Sequence, residues 1–195
     1  MILDIFQKVE PSNRNTQHGE LWVSSSLPRH LDNFKSLNRI TSLTLDQITI
    51  TLFDFPALQH TFRDLIPTVG TLRLMCPTTC PNSLLEFITT FKNLTAATIH
   101  APSWVKPDQS TSYTHTNQFH GTLCLSEFND NSSSFLSLLE LHATGIEMIT
   151  ISKCELRDPR PLQALLSSVK RSIRSVQIIA DRNGERVQLS LPYYP

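Results

Sequence analysis

The chain has 195 residues, enough for one domain with a sizeable core. Its 17 Lys and Arg balance 17 Asp and Glu, so no global field draws it to nucleic acid or to an acidic membrane. No apolar run approaches bilayer length, and four scattered cysteines are too few for a disulfide framework in a chain this long.

The first ten residues place Ile2, Ile5, Phe6 and Val9 on one helical face, which predicts an amphipathic helix. Asp4 and Lys8 interrupt this stretch too early for a signal peptide, and the expectation is an intracellular protein, cytoplasmic or nuclear, with no membrane and no nucleic-acid partner. Residues 11–20 read as a polar loop, and Leu21-Trp-Val23 as a short preliminary strand. Residues 1–27 together form an N-terminal lead-in, and the main domain is expected over 28–195.

Within that domain one pattern recurs. Apolar residues stand at the first, fourth and sixth slots of Ile40-x-x-Leu43-x-Leu45, Val69-x-x-Leu72-x-Leu74, Leu94-x-x-Ala97-x-Ile99, Ile146-x-x-Ile149-x-Ile151 and Ile173-x-x-Val176-x-Ile178. A weaker copy has His120 ahead of Leu123-x-Leu125. The fourth slots are separated by 29, 25, 26, 26 and 27 residues. Strands are therefore expected over 42–46, 71–75, 96–100, 122–126, 148–152 and 174–179. Parallel neighbours need a crossover of a dozen or more residues, and these intervals supply it.

Most crossovers carry a helical stripe. Pro56 opens one with Leu58, Phe62 and Leu65, and Pro81 opens the next with Leu84, Ile88 and Phe91. Ser132 to Ser134 can cap a third with Phe135, Leu138 and Leu139, for which Gly145 is placed as a left-handed terminator. Asp158, Pro159 and Pro161 precede a fourth, carrying Leu162, Leu165, Leu166, Val169 and Ile173. Between Ile99 and Leu123 no stripe exists. The segment 105–118 is rich in Ser, Thr, Asn and Gln and reads as a polar loop, with Trp104 packed beneath its start. Val187-x-Leu189-x-Leu191 alternates like a strand too close to Val176 for another crossover. With Asn183-Gly184 between them, an antiparallel hairpin capping the last strand is expected.

In such a unit the first, fourth and sixth slots face a core shared with the helices, and the residue between the last two faces outward. The outward middle column reads Thr44, Arg73, Thr98, Cys124, Thr150 and Gln177. The flanking column reads Asp46, Met75, His100, Ser126, Ser152 and Ile179. The candidate binding residues are Thr44, Asp46, Arg73, Thr98, His100, Cys124, Thr150 and Gln177. Arg73 is the cation of the middle column and a plausible anchor, because Arg is enriched among residues that dominate binding energy.

Short strands at this period with helices between them point to an α/β solenoid of the leucine-rich-repeat kind, a curved and mostly parallel sheet with helices on one side. The wording also resembles the leucine-rich-repeat region of F-box-type proteins abundant in mushroom-forming fungi. It is carried by Ile40-Thr-Ser-Leu-Thr-Leu-Asp46, Leu65-Ile-Pro-Thr-Val-Gly-Thr-Leu-Arg-Leu74, Cys80-Pro-Asn-Ser-Leu-Leu-Glu-Phe-Ile88, Ile99-His-Ala-Pro-Ser-Trp104 and Ile151-Ser-Lys-Cys-Glu-Leu-Arg-Asp158. The resemblance spans about residues 28–180. It implies a protein-binding scaffold, the substrate-reading half of a ubiquitin ligase, with a Skp-type cullin adaptor as partner where a longer form carries an F-box. Only the first helix of an F-box finds an echo here, in Met1 to Ser12. The Asn or Cys that closes the corner in ordinary leucine-rich repeats is replaced by Ile48, Pro77, Pro102, Phe128 and Asp181, and only Cys154 conforms. The corners are therefore expected to rest on proline and apolar packing.

Catalytic motifs are missing from the sequence. No Gly-rich phosphate loop or G-x-S-x-G elbow occurs, and Cys76 and Cys80 lack companion ligands at zinc spacing. The expectation is no enzyme, no cofactor and no metal. Two alternatives stand beside the scaffold: a ligand-binding or catalytic protein using Cys124 with His115 and His120 near the polar loop, and a truncated relative without independent activity. Lys170, Arg171 and Arg174 at the end of the last helix are read as complementing its dipole.

Overall fold

The computed structural model describes residues 5–8, 19–24, 40–50, 66–105, 119–142, 145–153, 156–179 and 186–189, with 5–8, 19–24 and 186–189 described as backbone. Its centre is a nine-stranded sheet whose strands follow chain order. They are β1 (Ile5–Lys8), β2 (Gly19–Ser24), β3 (Ile40–Asp46), β5 (Thr71–Met75), β7 (Ala96–His100), β9 (His120–Ser126), β10 (Gly145–Ser152), β11 (Ser175–Ile179) and β12 (Arg186–Leu189). Every pairing from β2 to β11 is parallel, and the two outermost pairs, β1 with β2 and β11 with β12, are antiparallel. The fold is thus α/β with a mostly parallel sheet.

Register follows the apolar pattern. Leu43, Leu72, Ala97, Leu123, Ile149 and Val176 are consecutive partners, and so are Leu45, Leu74, Ile99, Leu125, Ile151 and Ile178. A one-residue slip would turn every one of these side chains to the opposite face. Leu43, Leu45, Leu72, Leu74, Ile99 and Ile149 are fully buried. Each contributes about 1.5–3 kcal/mol relative to an exposed position.

Among the described residues three helices pack onto the core: α1 (Pro81–Thr90), α2 (Ser133–His142) and α3 (Arg160–Ser168). They pack side by side in chain order. Pro81 sits in the first turn of α1, behind an extended Cys80 at its N-cap. Leu84, Ile88 and Phe91 are buried as their spacing predicts, and Phe87 meets Phe91 edge-on at 5.3 Å. In α2, Phe135 and Leu139 join the same core, as do Leu165, Val169 and Ile173 in and after α3. Asp158 Oδ1 accepts the backbone N–H of Arg160, the first residue of α3, at 3.0 Å. Among the described residues no helix is long and apolar enough to cross a membrane.

A second, smaller sheet runs beside the first. Strands β4 (Thr49–Ile50), β6 (Thr78–Thr79) and β8 (Ser103–Trp104) pair in parallel. The main-sheet strands β3, β5, β7, β9 and β10 end in a repeated corner in which Gln47, Cys76, Ala101, Glu127 and Lys153 hold φ between 46° and 57°, and the first three corners lead into this second sheet. L-residues pay roughly 1–2 kcal/mol for this left-handed conformation. A ladder of backbone bonds opposes the cost: Gln47 N–H to Met75 O at 2.8 Å, Cys76 to His100 at 2.8 Å, Ala101 to Ser126 at 2.9 Å, and Glu127 to Ser152 at 3.0 Å. At four of these corners the next residue, Ile48, Pro77, Pro102 or Phe128, is buried. Apolar and proline packing does hold these corners, together with a backbone ladder that no sequence signal announced. Trp104 packs against Phe128 and Phe135 at centroid distances of 6.2 and 5.4 Å, and its Nε1–H donates to Ser132 Oγ at 2.9 Å.

Two expectations are corrected. Ile5–Lys8 is the strand β1 rather than part of a helix; pairing with β2 satisfies its backbone where a short helical face would have stood alone. Gly145 opens β10 rather than terminating α2. A Cβ there would collide with the exposed His120 ring, so any larger residue would have to displace that side chain. Leu21-Trp-Val23 lies in β2, and β12 pairs antiparallel with β11 as the hairpin reading expects. The helix opened by Pro56, the loop 106–118, the turn at Asn183-Gly184 and Cys154 lie outside the described residues.

Candidate functional site

The parallel register brings the outward columns into rows. Thr44, Arg73, Thr98, Cys124, Thr150 and Gln177 are successive partners across six strands, and Asp46, Met75, His100, Ser126, Ser152 and Ile179 form the adjacent column. Neighbouring strands in such a sheet lie roughly 4.8 Å apart, so Thr98 and Thr150 flank Cys124 at about one strand spacing each. Arg73 is exposed and already engaged with a neighbouring group. Thr98, His100, Cys124, Thr150, Gln177 and Asp46 are half-buried, as expected of a strand face open on one side.

Thr44 departs from the pattern. It is 3 % exposed and engaged in its own interaction, so it does not line an open surface. The open part of the face begins at Arg73. β2 extends the sheet beyond β3, with Trp22 in register opposite Thr44, so Thr44 is an interior position of the sheet rather than its edge.

The corner column adds two residues to the rim that the alternation of the strands did not single out. Glu127 Oε2 lies 3.8 Å from His100 Nε2, and Glu127 Oε1 lies 3.5 Å from Lys153 Nζ. All three side chains are at least partly exposed, so the pairings orient the rim more than they stabilise it. The signal was present in the spacing: Glu127 and Lys153 each follow the flanking column by one residue and are separated by the 26-residue step of their repeats. At the opposite end of β10, Arg174 Nη1 pairs with Glu147 Oε2 at 3.5 Å.

The described residues of the other proposed constellations are not brought together. His120 and Cys124 stand four residues apart on β9, roughly 13 Å at the rise of a strand, beyond the reach of a nucleophile–base hydrogen bond. His115 lies outside the described residues. Cys76 is exposed, whereas Cys80 is buried with its Sγ 3.1 Å from Ser83 Oγ. Among the described residues no three His, Cys, Asp or Glu side chains are grouped to hold a metal ion.

With this geometry in hand, comparison with known proteins adds no further constraint: no family model, curated protein or solved structure gives a significant match to the chain.

Proposed function

We propose that this protein is an interaction scaffold of the leucine-rich-repeat kind, a solenoid whose outward strand face docks a protein partner. The observation that supports this reading most is the row of Arg73, Thr98, Cys124, Thr150 and Gln177 on five consecutive parallel strands. A backbone bonded across the sheet holds the Cα positions of this row fixed, so little backbone ordering entropy is lost on binding. Threonine hydroxyls can donate or accept, and Arg73 contributes a planar donor set at one end. Such a surface suits a folded partner better than a small molecule, because ligand sites are typically concave and apolar. The resemblance to F-box-type proteins makes the substrate-recognition half of a ubiquitin ligase the working context, with a Skp-type adaptor engaged only by a form that carries an F-box.

The test is affinity capture with the wild-type chain and with Thr98→Arg/Thr150→Arg, which places two bulky cations on the centre of the face. Both positions are half-buried strand-surface sites, and melting curves should verify that the variant is folded. A recurrent partner captured by the wild type and lost by the folded variant is the expected result. Retention of every partner by the variant would move the interface off this face.

A further inference from the structure

The balanced net charge conceals a segregation along the chain. Residues 153–195 contain 8 Lys and Arg against 4 Asp and Glu, leaving 9 and 13 respectively in residues 1–152. From residue 107 to residue 152 there is no Lys or Arg, while Asp108, Glu127, Asp130, Glu140 and Glu147 all fall there. Because the strands of the sheet follow chain order, this becomes a spatial separation, with the basic section at the β11 end.

The exposed side of α3 and the turn that follows it carry that charge. Arg160, Gln163, Ser167, Lys170 and Arg171 are exposed and recur at helical spacing, whereas Leu165 and Val169 on the other side are buried. Arg160 is neutralised by Asp158 in a bidentate pair at 2.8–3.0 Å, and Arg174 by Glu147. Among the described residues no carboxylate pairs with Lys170 or Arg171. α3 ends at Ser168 with Val169 at its C-cap, so Lys170 and Arg171 stand in the turn just beyond it, where they complement the helix dipole and still face solvent.

We propose that a short acidic segment of a protein partner docks along this side of α3, with its carboxylates on Lys170 and Arg171 and its polar groups on Gln163 and Ser167. From Gln163 to Arg171 the helix and the turn after it span roughly 12 Å, the length of about four residues of extended chain. A short acidic segment fits that length. Two adjacent cations match a segment with a few carboxylates, whereas a long polyphosphate calls for an extended row of them. The surface is separate from the strand face, so either can fail without the other.

The experiment uses the full chain and a fluorescein-labelled hexaglutamate peptide, with anisotropy read at low and at physiological ionic strength. Lys170→Glu/Arg171→Glu should weaken binding by about tenfold or more, since two attractive contacts become repulsive. Lys92→Glu, an exposed charge reversal elsewhere, should leave it unchanged and controls for net charge. Added salt should weaken the wild-type interaction. Equal affinity for wild type and the double variant, an equal loss in Lys92→Glu, or no binding at low salt would each overturn the proposal. So would a labelled DNA duplex of comparable charge binding as tightly as the peptide, which would make the surface a general polyanion site. Melting curves should show all variants folded, because every substituted side chain is exposed.

Discussion

The inward columns of the main sheet and the column of corners beside it repeat at the same period and are built on opposite principles. In the inward columns the side chains do the specifying: Leu43 pairs with Leu72 and Leu45 with Leu74 because only that register buries both rows. In the corner column Gln47, Cys76, Ala101, Glu127 and Lys153 have nothing in common except a positive φ. None is Gly or Asn, the residues that adopt this conformation most cheaply. A repeat can thus be enforced through side-chain burial at one position and through the backbone a few residues later.

Substitutions on the inward side should be the most damaging. Leu74→Ala removes a fully buried side chain between two strands and should cost about 2–5 kcal/mol in denaturant unfolding. A loss near that of a surface substitution would show that the core is not continuous across β5.

The same column predicts its own gradient. Ile178 occupies the sixth slot on the last parallel strand but is 36 % exposed, against 2 % or less for Leu45, Leu74, Ile99, Leu125 and Ile151. With no further helix of the repeat described beyond β11, Ile178→Ala should cost clearly less than Leu74→Ala, about 1 kcal/mol, because both the transfer and the cavity contributions shrink with exposure.

Corners answer to a different substitution. Ala101 has φ 46°, so Ala101→Val should destabilise by about 1–2 kcal/mol through backbone strain. Ala101→Gly should be neutral or stabilising by up to about 1 kcal/mol, because relief of strain opposes the extra unfolded-state entropy. If Gly and Val behaved alike in thermal melts, the corner would be held by something other than its dihedral angle.

The smallest expected effect is electrostatic. Hydrogen bonds and charge from Arg160 hold the Asp158 carboxyl below its usual value near 3.8. A carboxylate with a depressed folded-state pKa contributes stability above its unfolded value, and that contribution is lost as pH falls through the lowered one. Asp158→Asn should therefore reduce stability slightly at neutral pH and flatten the acid limb below about pH 4. Unfolding curves that remain parallel across that range would assign Asp158 no role beyond the surface.

Much of this molecule was legible one strand at a time. The Leu-x-Leu and Ile-x-Ile alternations place six parallel strands to within a few residues at their N-terminal ends, since burying one face of a pleated strand leaves a period of two in any sequence. Helices α1 and α3 were legible for the same reason at a period near 3.6, with Pro81 and Pro161 marking their starts. The outward columns follow from the inward ones by alternation alone. Ile5–Lys8 was misread because four to ten residues of mixed apolar character satisfy either period, and the choice went to whichever partner could bond the backbone, here β2.

Tertiary structure alone decided what depends on neighbours distant in sequence. Thr44 and Thr98 occupy equivalent slots, yet one is buried and the other half-open, because burial depends on what lies across the sheet and not on the residue's own strand. The left-handed corners needed the carbonyls of Met75, His100, Ser126 and Ser152 from the next strand, and no local preference of Gln, Cys, Ala or Glu would choose that conformation without them. The pairing of Glu127 with both His100 and Lys153 likewise exists only once three strands stand side by side. Periodicity encodes which face a residue occupies; only the assembled sheet sets what that face meets.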